Sequence, residues 1–126
     1  MRILLDTHIL LWALTADRNL STEAANLLKD PKNEVLVSAA SLWEISIKHA
    51  LGRLSLSPLE IAQAIHATGF SPLPITFEHC TRLSGLPSVH NDPFDRMLVS
   101  QSLSEPAMLV THDRLLKDYG STILLV

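Results

Sequence analysis

Three short, unbroken apolar runs constrain this chain most: Ile3-Leu4-Leu5, Val35-Leu36-Val37 and Met108-Leu109-Val110. Runs this short, without polar alternation, suit strands buried on both faces, as in a parallel sheet. Ile123 to Val126 repeats the pattern at the end of the sequence. The intervening stretches carry helical patterning. The order reads strand, helix, helix, strand, helix, helix, strand, helix, helix, strand, helical turn, strand. Each interval is long enough for a crossover, so the expected class is α/β: a three-layer α/β/α sandwich around a mostly parallel sheet.

The helix ends are marked in the sequence. Ser57-Pro58-Leu59-Glu60 supplies an N-cap, a proline at the first helical position and a glutamate closing a capping box, and Gly69 suits the C′ position. Ser21 is placed to cap a helix running to Asp30, which Pro31 ends. Asp92-Pro93-Phe94-Asp95 repeats the cap, proline, acid order. No linker, repeat or low-complexity segment interrupts the 126 residues, so one domain spanning 1–126 is expected.

Composition narrows the class further. Apolar residues make up 47 % and charged residues 18 %, which excludes a disordered chain. The net charge of −3 argues against a passive nucleic-acid clamp. It argues less against a nuclease, whose bound cations would offset part of the charge. Cys80 is the only cysteine, which leaves no disulfide or cysteine-based zinc cluster and suits a reducing, cytoplasmic compartment. Met1 leads directly into the first strand without signal-peptide architecture, and the apolar stretch Ile9 to Leu14 is too short to span a bilayer.

The chemistry lies in four acids placed where a parallel sheet would gather them. Asp6 follows the first strand, Glu44 lies about a turn into the helix after the second, Asp95 opens a late helix, and Asp113 follows Met108-Leu109-Val110. Open α/β sheets bind ligands outside the carboxyl ends of their strands. Two like charges about 4 Å apart cost roughly 4 kcal/mol at an effective dielectric near 20. Such a group persists if some acids stay protonated or a cation neutralises them. A hard divalent ion on oxygen ligands, and with it phosphoryl chemistry, meets that need.

Each acid also has a local reading. Asp6 could cap the helix beginning near His8, Glu44 could pair with Lys48 or close a capping box with Ser41, and Asp113 could cap Arg114-Leu115-Leu116. Asp92 is placed as the N-cap before Pro93, which leaves Asp95 as the inner ligand and Asp92 as an outer one. The joint placement at strand ends is what the local readings leave unexplained. Trp43, Ile47, Ala50 and Leu51 are read as a core-facing stripe with Glu44 at its edge. His8 and His112 stand beside the expected site, whereas His49, His66, His79 and His90 read as surface or loop residues. Lys48, Arg96 and Arg114 are near enough to steady carboxylates or to meet substrate phosphates. Trp12, on a helix apolar almost all round, suggests an association surface.

At these residues the chain resembles the PIN-domain ribonucleases, specifically VapC-type toxins of bacterial toxin–antitoxin pairs. The matching pieces are Leu4-Leu5-Asp6-Thr7-His8 with Leu11-Trp12-Ala13-Leu14, then Ser41 to Lys48, Asp92 to Val99, and Val110-Thr111-His112-Asp113. The resemblance implies Mg²⁺- or Mn²⁺-dependent endonucleolytic cleavage of RNA, leaving a 5′-phosphate and a 3′-hydroxyl. Asp6, Glu44, Asp95 and Asp113 would be the acidic residues, and Thr7 and Thr111 the accompanying hydroxyls. It further implies a homodimer and a small antitoxin encoded alongside. Ser100 and Ser102 depart from the alanines usual after the third acidic motif.

Rival readings differ in what they need. A PIN-like module that binds RNA or protein without cutting would be free to lose acids, yet the set here is complete. A phosphoacceptor receiver domain wants adjacent acids after the first strand and a lysine after a late one. A haloacid-dehalogenase-like phosphatase wants an acid where His8 stands.

Overall fold

A computed structural model describes residues 1–126. Five strands form one parallel sheet: β1 Arg2–Leu5, β2 Glu34–Ser38, β3 Ser71–Leu73, β4 Met108–Thr111 and β5 Ile123–Leu125. Helices α1 Thr7–Leu14, α2 Thr22–Lys29, α3 Ala39–Ala50, α4 Pro58–Thr68, α5 Phe77–Arg82 and α6 Pro93–Ser104 fill the intervals, with 3₁₀ segments at Leu83–Gly85 and Arg114–Tyr119. The element order is the one the apolar runs and caps predict.

Residue alternation along the strands divides the core into two layers. Ile3, Leu5, Val35, Val37 and Val110 face Ile9 and Leu10 of α1, Ile45 of α3, and Ile61 and Ile65 of α4. Leu4, Leu36 and Leu109 face the other way, onto Leu98 and Val99 of α6 and Leu116. Strands covered on both faces cannot use polar alternation, which is why their sequences are continuously apolar. The caps hold as expected: Ser57 and Glu60 form a capping box, Gly69 takes a left-handed conformation, and Ser21 and Asp92 cap α2 and α6.

The strand order is β3-β2-β1-β4-β5. The chain builds outward from β1 through β2 to β3, then returns to the other side of β1 for β4 and β5. The order therefore reverses between β1 and β4, and a crevice opens at such a switch point. The register pairs Leu5 with Val110, so Asp6 and Thr111 emerge side by side at that edge.

Helix α3 departs from expectation. Trp43 is 60 % exposed, and Ile47, Ala50 and Leu51 are exposed with it. The buried face is instead Ala40, Ser41, Glu44 and Ile45. α3 carries apolar residues on both sides, and packing against the sheet selects the side holding Glu44. Trp43 meets Phe94 edge-on at 5.1 Å between ring centroids. His79 is also not a surface residue. It is 1 % exposed, its Nδ1 accepts from the Thr76 N–H, and its Nε2 lies 2.6 Å from Glu105 Oε2. Ser100 and Ser102 are buried and satisfied, donating to the carbonyls of His79 and Val99.

Candidate functional site

The carboxyl edge gathers the polar residues that the strands deliver. Asp6 follows β1 directly and caps α1, with Oδ1 accepting from the Ile9 N–H at 2.8 Å. Its Oδ2 accepts a short hydrogen bond from the Thr111 hydroxyl at the end of β4. Capping and site membership are thus one arrangement: the cap fixes one oxygen and Thr111 the other. Burial pushes the Asp6 carboxyl above the usual range, against these two hydrogen bonds and His8, with Asp113 adding to the rise.

Glu44 sits one helical turn after Ser41 on the buried face of α3. The Thr7 hydroxyl, at the start of α1, lies 2.6 Å from Glu44 Oε1 and 3.0 Å from Ser41 Oγ. Lys48 Nζ lies 2.9 Å from Glu44 Oε2, so the expected helix pair also steadies a site carboxylate.

Asp95 stands in the first turn of α6. Burial first, then the nearby Asp92, Asp6 and Glu44, push its carboxyl up to about 7, with His90 pulling the other way. Asp92 Oδ1 accepts from the N–H groups of Phe94 and Asp95, a capping role. Asp113 Oδ1 accepts from the Leu115 N–H, and the Asp113 N–H donates to Thr111 Oγ1. An open cleft is lined by Asp6, His8, Trp12, His112 and Asp113.

The sequence reads His90 as a loop residue, yet it joins the two halves of the acidic group. Its Nε2 lies 3.5 Å from Asp95 Oδ2 and 3.3 Å from Asp113 Oδ2. Ligand atoms of His90, Asp95 and Asp113 all fall within 4.8 Å of one another, close enough to share a metal ion. The Asp92 N–H donates to His90 Nδ1, which in the neutral ring assigns the proton to Nε2. The imidazole therefore donates from Nε2 to Asp113 and lies beside Asp95. The spacing of His90, Asp92 and Asp95 around Pro93 carries the signal, although the aspartates dominate it.

Arg96 is committed to structure. Its Nη1 donates to Pro87 O at 3.0 Å and Tyr119 Oη at 3.1 Å, and its Nη2 to Leu83 O at 3.2 Å. It ties down the loop that carries His90 and leaves little for a substrate phosphate.

The residues fit a hard divalent cation. Asp95 feels Asp92, Asp6 and Glu44, Asp6 feels Asp113, both carboxyls are driven toward protonation, and a cation held by such oxygens would relieve them.

Comparison with known proteins identifies the family. The family model described as PIN domain matches residues 3–121. Ribonuclease VapC16 of Mycobacterium tuberculosis (strain ATCC 25618 / H37Rv) is 36 % identical over 85 residues, covering 64 % of this chain and 59 % of that protein. This chain thus matches somewhat under two thirds of that relative's length. Among solved structures, VapBC2 from Rickettsia felis bound to a DNA fragment from their promoter superposes with a TM-score of 0.70 at 16 % identity, covering 100 % of this chain and 98 % of the other. VapBC-1 from nontypeable Haemophilus influenzae gives 0.64 at 21 % identity, over 99 % and 98 %. A toxin–antitoxin complex from Klebsiella pneumoniae gives 0.64 at 17 %, over 97 % and 95 %. At such identities the structural likeness is one of fold. No helix is long and apolar enough to cross a membrane.

Proposed function

Because the chain belongs to the PIN-domain family and is homologous to VapC-type toxins, we propose that it is a metal-dependent endoribonuclease, the toxin of a toxin–antitoxin pair. Residues 1–126 would act as one PIN-like domain in the cytoplasm, as a homodimer held in check by a small cognate antitoxin. The observation that supports the reading is the close approach of Asp95 and Asp113 about His90, with Asp6 and Glu44 near enough to raise the Asp95 carboxyl further.

Asp6, Glu44, Asp95 and Asp113 would hold Mg²⁺, with Mn²⁺ as a substitute and Asp92 in an outer role. When bound, the cation supplies a nucleophilic water at neutral pH and stabilises charge developing on the phosphate. The chain's own residues do the positioning. Thr111 and the Ile9 N–H hold Asp6, while Thr7 and Lys48 hold Glu44. Arg96 fixes the loop before α6, so the His90 imidazole is kept beside Asp95 and Asp113. His90, with its proton on Nε2, would stand ready to donate to a phosphate oxygen beside these carboxylates.

The test is to incubate purified protein with total cellular RNA, with Mg²⁺ or with EDTA, and to map the new 5′ ends. New ends that need Mg²⁺ support the reading. RNA binding that survives chelation, with no fragments after long incubation, assigns the protein to the non-catalytic alternative.

A further inference from the structure

The acidic cleft has a basic neighbour. A second pocket, lined by His112, Arg114, Lys117, Leu125 and Val126, shares His112 with the cleft of Asp6, His8, Trp12 and Asp113. Arg114 and Lys117 stand three residues apart on the 3₁₀ segment Arg114–Tyr119, where residues at i and i+3 eclipse, so both lie on one face. Both are exposed and neither makes an ion pair, unlike Arg2, Lys48 and Arg82. The His112 Nδ1 donates to the Val126 carbonyl at 2.8 Å, which fixes the ring between the two pockets.

The acidic cleft is also aromatic. Trp12 lies between two imidazoles: His8 at 6.0 Å between centroids and tilted, and His112 at 5.6 Å and edge-on. His8 and His112 are exposed, and Trp12 is half-buried against the core while still lining the cleft. A half-buried indole beside candidate metal ligands offers a flat face to a nucleobase, and unpaired cations one step away offer a site for phosphate. Proteins that hold single-stranded nucleic acid combine these two elements, base stacking and a basic backbone track. Paired bases stay stacked on one another and cannot use such a face.

We infer that Trp12, flanked by His8 and His112, stacks a base of a single-stranded RNA next to the acidic site, and that Arg114 and Lys117 hold an adjacent phosphate of the same strand. This rests on the reading of the protein as acting on RNA and gives that reading a strand path: base at Trp12, backbone across His112, phosphate at Arg114 and Lys117. It also answers how a chain of net charge −3 engages a polyanion, since attraction is concentrated in one pocket rather than spread over a face.

The test measures binding apart from cleavage. A fluorescein-labelled, phosphorothioate-linked decauridylate, which resists hydrolysis, is titrated with the full chain in Mg²⁺ over a range of salt. Arg114→Gln with Lys117→Gln should weaken binding about tenfold and reduce the salt slope by about 0.7 for one lost phosphate contact. Lys32→Gln with Arg53→Gln, an equal charge change at exposed cations elsewhere, should leave the affinity within twofold. With Trp43→Phe making Trp12 the only tryptophan, its fluorescence should be quenched on binding. Trp12→Leu should then cost about 5- to 150-fold, and Trp12→Phe should recover most of it. A comparable loss in both charge pairs, an unchanged affinity in the Arg114/Lys117 pair, or an intact protein that does not bind the oligonucleotide would each overturn the inference. Failure of the nuclease reading looks different: pocket-dependent binding would persist while total RNA yields no Mg²⁺-dependent fragments. Conversely, fragments together with indifferent pocket variants would spare the nuclease and remove the strand path.

Discussion

At the amino edge of the sheet, Glu105, just before β4, is met by Arg2 from the start of β1 and by the buried His79 of α5. At the carboxyl edge, Asp95 meets Asp113 about His90 and feels the charges of Asp6 and Glu44, and Lys48 is the one lysine or arginine ion-paired with any of these acids. Both edges are built from the same strands by residues far apart in sequence. One is electrostatically settled by the protein itself, whereas the other has a surplus of negative charge. A charge with its partner in place serves the fold, and leaving several without one costs stability. Burial, with a smaller addition from neighbouring acids, pushes Asp6 and Asp95 above the usual carboxylate range. The fold alone has no reason to maintain such a surplus.

Substitutions at the two edges should therefore fail in opposite ways. Asp6→Asn or Asp95→Asn should reduce RNA cleavage by about 10³-fold or more while leaving the far-ultraviolet circular dichroism unchanged. Full Mg²⁺-dependent cleavage by both purified variants would remove these residues from the chemistry. Glu105→Ala should do the reverse, lowering stability by about 1–3 kcal/mol in urea unfolding with cleavage per folded molecule unaltered. If that variant unfolds like the parent, the amino edge is not a structural clasp.

The pH dependence sharpens the same contrast. Asp95 has a folded value of about 7 against an ordinary 3.8, a raised acid. Its stabilising contribution is complete below the unfolded value and is lost as pH rises from about 4 through 7. Without divalent ions the melting temperature should fall across that window, and Asp95→Asn should flatten the fall. Added Mg²⁺ should raise melting by a few degrees at ten times its dissociation constant, where binding contributes about 1.4 kcal/mol, and more above pH 7 than at pH 5. Equal shifts at both pH values would mean that the ion binds elsewhere. The smallest effect belongs to Lys48→Ala, a half-exposed pair whose loss should change stability by about 0.2–0.5 kcal/mol and cleavage far less than Asp6→Asn. A loss as large as that of Asp6→Asn would promote Lys48 from support to the reaction itself.

The scaffold is more legible in the sequence than the site. Unbroken apolar runs identify doubly covered strands, and Ser57 and Asp92 begin helices, and Gly69 ends one, through local chemistry that tertiary packing leaves alone. The places of Asp6 and Asp113 are legible because the adjacent parallel strands β1 and β4 end just before them at one edge. The face of α3 is not legible, since Trp43 and Ile47 compete with Ile45 for burial and only the sheet decides between them. His79 and His90 are hidden for a related reason. A histidine's role depends on what stands across from it, and Glu105 and Asp113 are 26 and 23 residues away. The position of Arg96 beside the acids is legible, but its use by backbone carbonyls and Tyr119 depends on a loop path that no local pattern encodes.

The Thr111–Asp6 hydrogen bond spans 105 residues of sequence. During synthesis, β1 must wait beside β2 until β4 has left the ribosome before Asp6 gains its second anchor. A nascent chain cut short before that point would hold three of the four acids and none of the β1–β4 crevice. The β1–β4 crevice and the acids along it therefore form together, only after chain from both ends of this 105-residue span has been made.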